Sequence, residues 1–406
     1  MKTEIKIIKY LLKEIVYKKH SASLFEGLRS SDINWKKLNS IIIYNELGPF
    51  LYVLLKERHS LVPENIFKFL KESYYFSLFN YMILFDELLE ILKESKKNNI
   101  LIIPIKGFSF SEEYYRRFGF RPLVDIDLLI KDNDFDKSIS FLEGLGYKKH
   151  LSGASEDYWR KKQCHIGFIK IIKDIPVIVE LHWALDFKRY KNEIMPDLWR
   201  RLKKIFLEKD EFPVMSPEDT LISLALHQRR FGKVLNLKYI CDAGIILEKE
   251  EIDWDYIMKT AKEDSIRTTL YFLFLQIQFV LDKDLSKHLK ELKIPFWHRK
   301  LIGMTIRKHI YSPQNITHFP HIYILCHFLL YDAITYPITY ILNIPQEQFA
   351  RFYQLPFYTP KTKRLYKLRY LYIPYKLIKE PLSRYFLKPS TLKNSINRLS
   401  LKDKTK

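Results

Sequence analysis

Leu123-Val124-Asp125-Ile126-Asp127-Leu128-Leu129-Ile130 is a short apolar run broken only by two acids, and the rest of the chain is read outward from it. Apolar residues around the acids predict a buried β-strand. Alternate side chains of a strand share a face, so Asp125 and Asp127 are expected side by side while Ile126 and Leu128 enter packed surface. Two carboxylates held together in a half-buried setting repel each other, and a bound divalent cation commonly offsets that repulsion. Asp125 and Asp127 are therefore candidate metal ligands.

Upstream, Ile100 to Ile105 is a β-branched run that ends at Gly107 and leads into the helix-like Phe108 to Phe118. At such a strand-to-helix junction, backbone N–H groups and the positive end of a helix can receive phosphate oxygens. Lys106, Gly107 and Ser109 are candidate phosphate contacts on that ground. Lys106 can instead pair with Asp125, and a contact with phosphate or Asp125 is favoured over a strand-end lysine running to solvent. Arg121, just before the acidic strand, binds phosphate or makes a structural ion pair with a carboxylate.

Downstream, a helix candidate from Asp134 to Leu145 is terminated by Gly146. His165 to Ile172 and Pro176 to Trp183 are two β-rich segments around the turn-forming Lys173-Asp174-Ile175, which predicts an antiparallel pair. Within the second segment Val179, Leu181 and Trp183 share one face, and Glu180 and His182 the other. If that strand lies beside Asp125 and Asp127, Glu180 is a third carboxylate, able to ligate metal or accept a proton from an attacking hydroxyl.

On either side the pattern is helical. Residues 1–98 repeat apolar positions at helical spacing: Met1 to His20 is amphipathic (Ile5, Ile8, Leu11, Leu12, Ile15) with no signal-peptide core, and Asn65 to Lys97 lacks Gly and Pro. Ser216-Pro217-Glu218-Asp219 reads as a helix start, with helices through Asp282 and beyond. The expected class is α/β (α+β), a mixed sheet embedded between helical regions. Its segments are 1–98 helical, 99–212 catalytic core, 213–285 helical and substrate-side, and 286–406 helical and basic. Ile322 to Ile344 is apolar enough to resemble a membrane span, but it contains His327, Asp332 and Pro337 and is read as a buried helix. No transmembrane span is expected.

Composition sets the bounds. With 406 residues, 47% of them hydrophobic and only 11 Gly, the chain should form an ordered, helix-rich globular protein of more than one subdomain. Lys and Arg exceed Asp and Glu by 68 to 47, a formal charge of +21. That excess attracts polyanions or anionic lipid, and a biased genome accounts for it equally. From Pro356 onward Lys361, Lys363, Arg364, Lys367 and Arg369 alternate with Tyr370, Tyr372 and Tyr375. Such a segment can stack on RNA bases, lie on an anionic membrane surface or pack as helices. Cys164, Cys241 and Cys326 are far apart without a CxxC pair, so neither a disulfide framework nor a thiolate zinc site is indicated, and a cytoplasmic setting is expected.

The order Lys106-Gly107-Phe108-Ser109, Asp125-Ile126-Asp127, Val179-Glu180-Leu181 resembles the nucleotidyltransferase superfamily: a Gly-Ser turn, a strand with two acids, a third acid on a later strand. Ile105-Lys106-Gly107, the run from Arg121 to Ile130 and Val179-Glu180-Leu181-His182-Trp183 are similar to an uncharacterised bacterial nucleotidyltransferase family, over roughly residues 90–280. Leu226-His227, Leu237-Lys238, Asp242 and Asp253-Trp254 resemble that family's helical half. The resemblance implies that His227 and Asp242 face the active-site cleft, with His182 also on the substrate side; His227 reads equally as a satisfied core histidine. Where the superfamily carries a hydroxyl residue directly after the glycine, this chain has Phe108, which leaves phosphate contacts to backbone N–H groups, Ser109 or Lys106.

The resemblance implies Mg²⁺ or Mn²⁺ held by Asp125, Asp127 and Glu180. It also implies transfer of a nucleoside monophosphate from a nucleoside triphosphate such as ATP to an unknown acceptor hydroxyl, releasing pyrophosphate. A non-catalytic scaffold that binds RNA or protein and a toxin-like enzyme that modifies tRNA are the competing readings.

Overall fold

The computed structural model describes residues 3–115, 119–186, 197–231, 236–311, 328–333 and 335–376. A five-stranded mixed sheet lies at its centre, built from β1 (Ile102–Pro104), β2 (Ile126–Ile130), β3 (Lys148–His150), β4 (His165–Ile172) and β5 (Ile175–His182) in the order β1-β2-β5-β4-β3. Only β2 and β5 run parallel; the other neighbours are antiparallel. A separate two-stranded ladder pairs β6 (Lys203–Leu207) with β7 (Asp210–Val214).

The hairpin read from Lys173-Asp174-Ile175 is present, with β5 starting one residue earlier than its apolar pattern suggests. Lys173 and Asp174 form a two-residue connection, both with positive φ (47° and 64°), the geometry whose twist matches that of paired strands. The strand of the two acids is shorter than its pattern. It begins at Ile126, and Asp125 sits on the bend before it. Ladder partners set this limit: β1 covers only Leu128 to Ile130, and β5 pairs from Ile126 onward. Val124 is accordingly 62% exposed, whereas Ile126, which would share its face on a continuing strand, is fully buried.

The helix expected over Phe108 to Phe118 appears as two consecutive turns, Gly107–Phe110 and Ser111–Tyr115; residues 116–118 lie outside the described residues. Phe135–Gly144 is helical as the spacing predicts. Glu64–Lys97 is one uninterrupted helix of 34 residues, and Ser216 Oγ accepts the Asp219 N–H to start the helix Pro217–Phe231.

Helices before and after the sheet share one apolar core with it: Ile8 and Leu11 near the start, Ile103 and Leu129 of the sheet, and Ile240 and Leu273 all belong to it. Packing there is tight. A Cβ on Gly244 would lie 2.3 Å from Leu281 Cδ1 and 3.3 Å from Val16 Cγ2, so glycine is what lets the helix Leu237–Lys249 approach Thr3–Tyr17 and Arg267–Leu281.

The apolar stretch from Ile322 does not continue as one buried helix. Residues 322–327, with Cys326 and His327, and Ile334 lie outside the described residues. The remainder breaks at 331–333 before a helix, Thr335–Leu342, whose Ile338 and Leu342 are exposed. Asp332 accounts for the break. Its carboxylate accepts the Arg267 and Thr268 N–H groups (3.2 and 2.7 Å) and caps the start of Arg267–Leu281. Among the described residues no single helix is long and apolar enough to cross a membrane.

Two compact units divide the chain, residues 1–339 and 340–406. In the second, Ile344, Phe349 and Ile373 form a small core with Tyr353, Tyr366 and Tyr372 packed on it, and Tyr366 donates to the Ile344 carbonyl at 2.8 Å. The Arg369 guanidinium lies over the Tyr366 and Tyr370 rings. Part of the basic, tyrosine-rich segment thus packs on itself, and residues 377–406 lie outside the described residues.

Candidate active site

The parallel register of β2 and β5 sets Asp127 directly beside Glu180. Their neighbours Ile126, Leu128, Val179 and Leu181 point to the other face and are fully buried, so the pleat leaves the acids no choice of side. His182 follows two residues after Glu180 on the same face. Its Nε2 lies 2.9 Å from Asp127 Oδ1 and 3.3 Å from Glu180 Oε2.

Lys106 arrives from the neighbouring strand. The Ile105 N–H donates to the Asp127 carbonyl at 3.0 Å, which fixes the next residue above the acids. There the Lys106 backbone takes φ 54° and ψ −116°, a conformation an L side chain rarely adopts and one that costs free energy. Its ammonium donates to Asp127 Oδ1 and lies 3.4 Å from His182 Nε2. The lysine therefore pairs with Asp127 rather than with Asp125. At Gly107 an added Cβ would meet Leu123 Cδ2 at 2.7 Å, so the glycine lets this turn lie against the segment leading to Asp125.

Charge here is concentrated and unevenly compensated. Burial opposes the negative form of Asp127, but Lys106 and His182 outweigh it and hold the carboxyl well below its usual range. Burial also opposes ionisation of Glu180, and His182, with His165 behind it, holds that carboxyl down to about 2. For His182, burial and the Lys106 ammonium oppose protonation, yet Asp127 leads the neighbours that lift the imidazole up to about 9. Asp125 is left over: burial and the charges of Asp127 and Glu180 push its carboxyl up to about 7.

The remaining sequence candidates fall elsewhere. Ser109 Oγ donates to the Lys106 carbonyl at 2.9 Å and steadies the turn. Arg121 meets Asp242 in a two-pronged pair, Nε to Oδ1 at 2.9 Å and Nη2 to Oδ2 at 2.7 Å, and Tyr115 donates to the same Oδ1 at 2.8 Å. Arg121 has taken the structural ion pair, and Asp242 is fully buried behind it rather than open to a cleft. His227 Nε2 lies 3.2 Å from the Tyr239 hydroxyl. Lys238, paired with Glu46, is near enough for its charge to be felt at Asp125.

Sequence reasoning missed two residues of the neighbourhood. His165 lies directly across the β4–β5 ladder from His182, their rings stacked with centroids 4.8 Å apart, and His165 Nε2 is 3.7 Å from Glu180 Oε2. Cys164 precedes it, its Sγ 3.7 Å from His165 Nδ1. Counting register back from the Lys173-Asp174 turn would have paired the two histidines; nothing in the spacing of lone cysteines marks Cys164.

A divalent cation fits the donors present. One ligand atom each from Asp127, Glu180 and His182 lie within 4.8 Å of one another. The raised carboxyl of Asp125 reflects burial first and then the charges of Asp127 and Glu180, and a cation would relieve the second of these. His182, placed on the substrate side by resemblance, stands within this cluster, and Asp125 stands at its margin.

No curated protein matches the chain. The model of a family described as uncharacterised nucleotidyltransferase matches residues 31–282, which span Lys106, both aspartates, Glu180, His182, His227 and Asp242. With more than half its length matched, and the mixed sheet carrying the acids, the chain belongs to this nucleotidyltransferase family.

Proposed function

We propose that the chain is a metal-dependent enzyme that moves a nucleoside monophosphate from a nucleoside triphosphate onto an acceptor hydroxyl. The observation that carries this reading is the pairing of Asp127 with Glu180 on adjacent parallel strands, with His182 and Lys106 closing over them. Asp127, Glu180 and His182 would hold a divalent cation, Mg²⁺ or Mn²⁺, with Asp125 at its edge. Such an ion, when bound, neutralises charge on the phosphoryl oxygens.

The chain's own groups supply the rest. Lys106, held by its strained backbone at the end of β1, exchanges its pairing with Asp127 for a phosphate oxygen of the incoming triphosphate. Glu180 has a side chain 26% exposed against 7% for Asp127, so it is the acid an acceptor can reach. The acceptor oxygen attacks the α-phosphorus and a new P–O bond forms. The bond from that phosphorus to the bridging oxygen breaks, pyrophosphate leaves with the electron pair, and the acceptor's proton goes on to solvent, Glu180 orienting the hydroxyl rather than retaining its proton.

A screen of the four labelled triphosphates with Mg²⁺ or Mn²⁺ and a cell extract tests this, with pyrophosphate release as the readout. Release is expected to need the metal and to vanish in Asp127→Asn, a replacement that keeps shape in a buried position. Undiminished release from a folded Asp127→Asn protein would sink the assignment. Salt-sensitive RNA binding with no pyrophosphate from any triphosphate would favour the non-catalytic scaffold instead.

A further inference from the structure

We propose that Cys164, His165 and His182 form a second cation site, for a thiophilic divalent ion such as Zn²⁺, on the opposite edge of the two stacked imidazoles from the carboxylates. One ligand atom from each lies within 4.8 Å of the others, and all three residues are buried. The two rings are oriented alike. His165 turns Nε2 toward Glu180 and Nδ1 toward the Cys164 sulfur, at 3.7 Å each. His182 turns Nε2 toward Asp127 and Glu180, which leaves Nδ1 facing away from them.

That Nδ1 is the second, independent observation. It is buried in a residue only 1% exposed, and the partner set against it is the Cys164 sulfur, with no oxygen or nitrogen group in hydrogen-bond reach. An imidazole nitrogen met only by sulfur in a protein interior is weakly satisfied, and a cation shared with that sulfur would satisfy both. Thiolate and imidazole donors select Zn²⁺ and similar ions, whereas the carboxylate side suits Mg²⁺ or Mn²⁺, so the rings separate a soft site from a hard one. Binding is without redox change: the thiol proton and any proton on Nδ1 of either histidine leave to solvent, Nε2 of His182 keeping its own, and metal–sulfur and metal–nitrogen bonds form. Cysteine spacing does not indicate such a site at Cys164, because one proposed co-ligand is its sequence neighbour His165 and the other, His182, comes from across the ladder. This inference does not rest on nucleotidyl transfer, since the hard side uses no group of Cys164.

The test uses the full chain, stripped with chelator and titrated with Co²⁺ as a spectroscopic stand-in. One equivalent is expected to give sulfur-to-cobalt charge-transfer absorption in the near ultraviolet that Zn²⁺ abolishes. The band should persist in Cys241→Ser and in Asp127→Asn and disappear in Cys164→Ser. No such band in the folded wild-type protein, or its survival in Cys164→Ser, would overturn the proposal. Because a buried substitution can unfold the chain, X-ray absorption of the wild-type protein with one equivalent of Zn²⁺ serves as the second measurement. A shell with one sulfur and at least two nitrogens is expected; a shell of oxygen and nitrogen alone refutes the site.

Discussion

Two buried constellations use the same chemistry to opposite ends. In the first, Arg121 grips Asp242 through two parallel hydrogen bonds and Tyr115 completes the carboxylate, so the charges are matched and sealed at 3% and 0% side-chain exposure. In the second, Lys106, Asp127, His182 and Glu180 are also buried or nearly so. There the backbone of Lys106 is strained, His182 Nδ1 is met only by the Cys164 sulfur, and Asp125 is left with a carboxyl raised to about 7. Saturated valence marks a clasp between the sheet region and the helix Leu237–Lys249; unsaturated valence is what the proposed exchange of ions and protons requires.

The sharpest way to test that contrast is to neutralise one acid in each. Asp127→Asn is expected to lower turnover by roughly 10³-fold or more, the scale on which a single preorganised electrostatic group acts, with circular dichroism unchanged. The same variant should let the His182 imidazole titrate well below its present value of about 9, because Asp127 is foremost among the groups that hold its proton. Proton NMR of the ring reads this directly. An unmoved His182 would mean that Glu180, not Asp127, governs the cluster.

In the clasp, Asp242→Asn or Arg121→Ala should instead unfold the protein more easily, by about 3–5 kcal/mol, because each leaves the other charge buried and alone. Urea denaturation measures it. Replacing both with apolar residues, Arg121→Met with Asp242→Leu, should recover most of the loss, since neither charge then needs a partner. Equal losses of stability from Asp127→Asn and Asp242→Asn would erase the distinction between the two constellations.

How far the sequence discloses these sites follows from how local their causes are. The hairpin and Glu180 on its polar face come from period-2 patterns and a turn, which are local; that β5 lies beside β2 is a long-range pairing, which the sequence carries only as a condition. The place of Asp125 is not: whether a strand runs on past Ile126 depends on where β1 and β5 stop. Arg121 and Asp242 are legible as candidates, but their meeting is fixed only by tertiary packing of a helix more than a hundred residues downstream. β3 escapes notice because Lys148-Lys149-His150 carries no apolar alternation, and β6 and β7 because their charged edges read as a loop.

Asp125 offers a smaller and pH-dependent effect. Its folded-state carboxyl, up to about 7, lies above the ordinary value near 4 expected in the unfolded chain. The unfolded state therefore loses its proton first, and the metal-free protein loses stability as pH rises from about 4 through 7. Asp125→Asn has no proton to lose there, so at pH 8 without metal it should be more stable than wild type by about 1 kcal/mol or more. Added Mg²⁺ should stabilise the wild-type protein more than the variant. A wild-type stability that climbs over this pH window while that of Asp125→Asn stays level would show that Asp125 is not crowded by like charge.

The smallest effect lies at the far end of the same strands. Lys173 and Asp174 both hold positive φ, and a lysine there is strained where asparagine followed by glycine is at ease. Lys173→Asn with Asp174→Gly is expected to stabilise the β4–β5 hairpin by about 0.5–1 kcal/mol, part of the gain from relieved strain being returned to the greater freedom of glycine in the unfolded chain. The turn is six residues from Glu180, about 20 Å along an extended strand, so the acids should not register the change. Turnover and Co²⁺ absorption are therefore expected to match wild type while the urea midpoint rises. Altered turnover would mean that strand register is transmitted from the turn to the acid cluster.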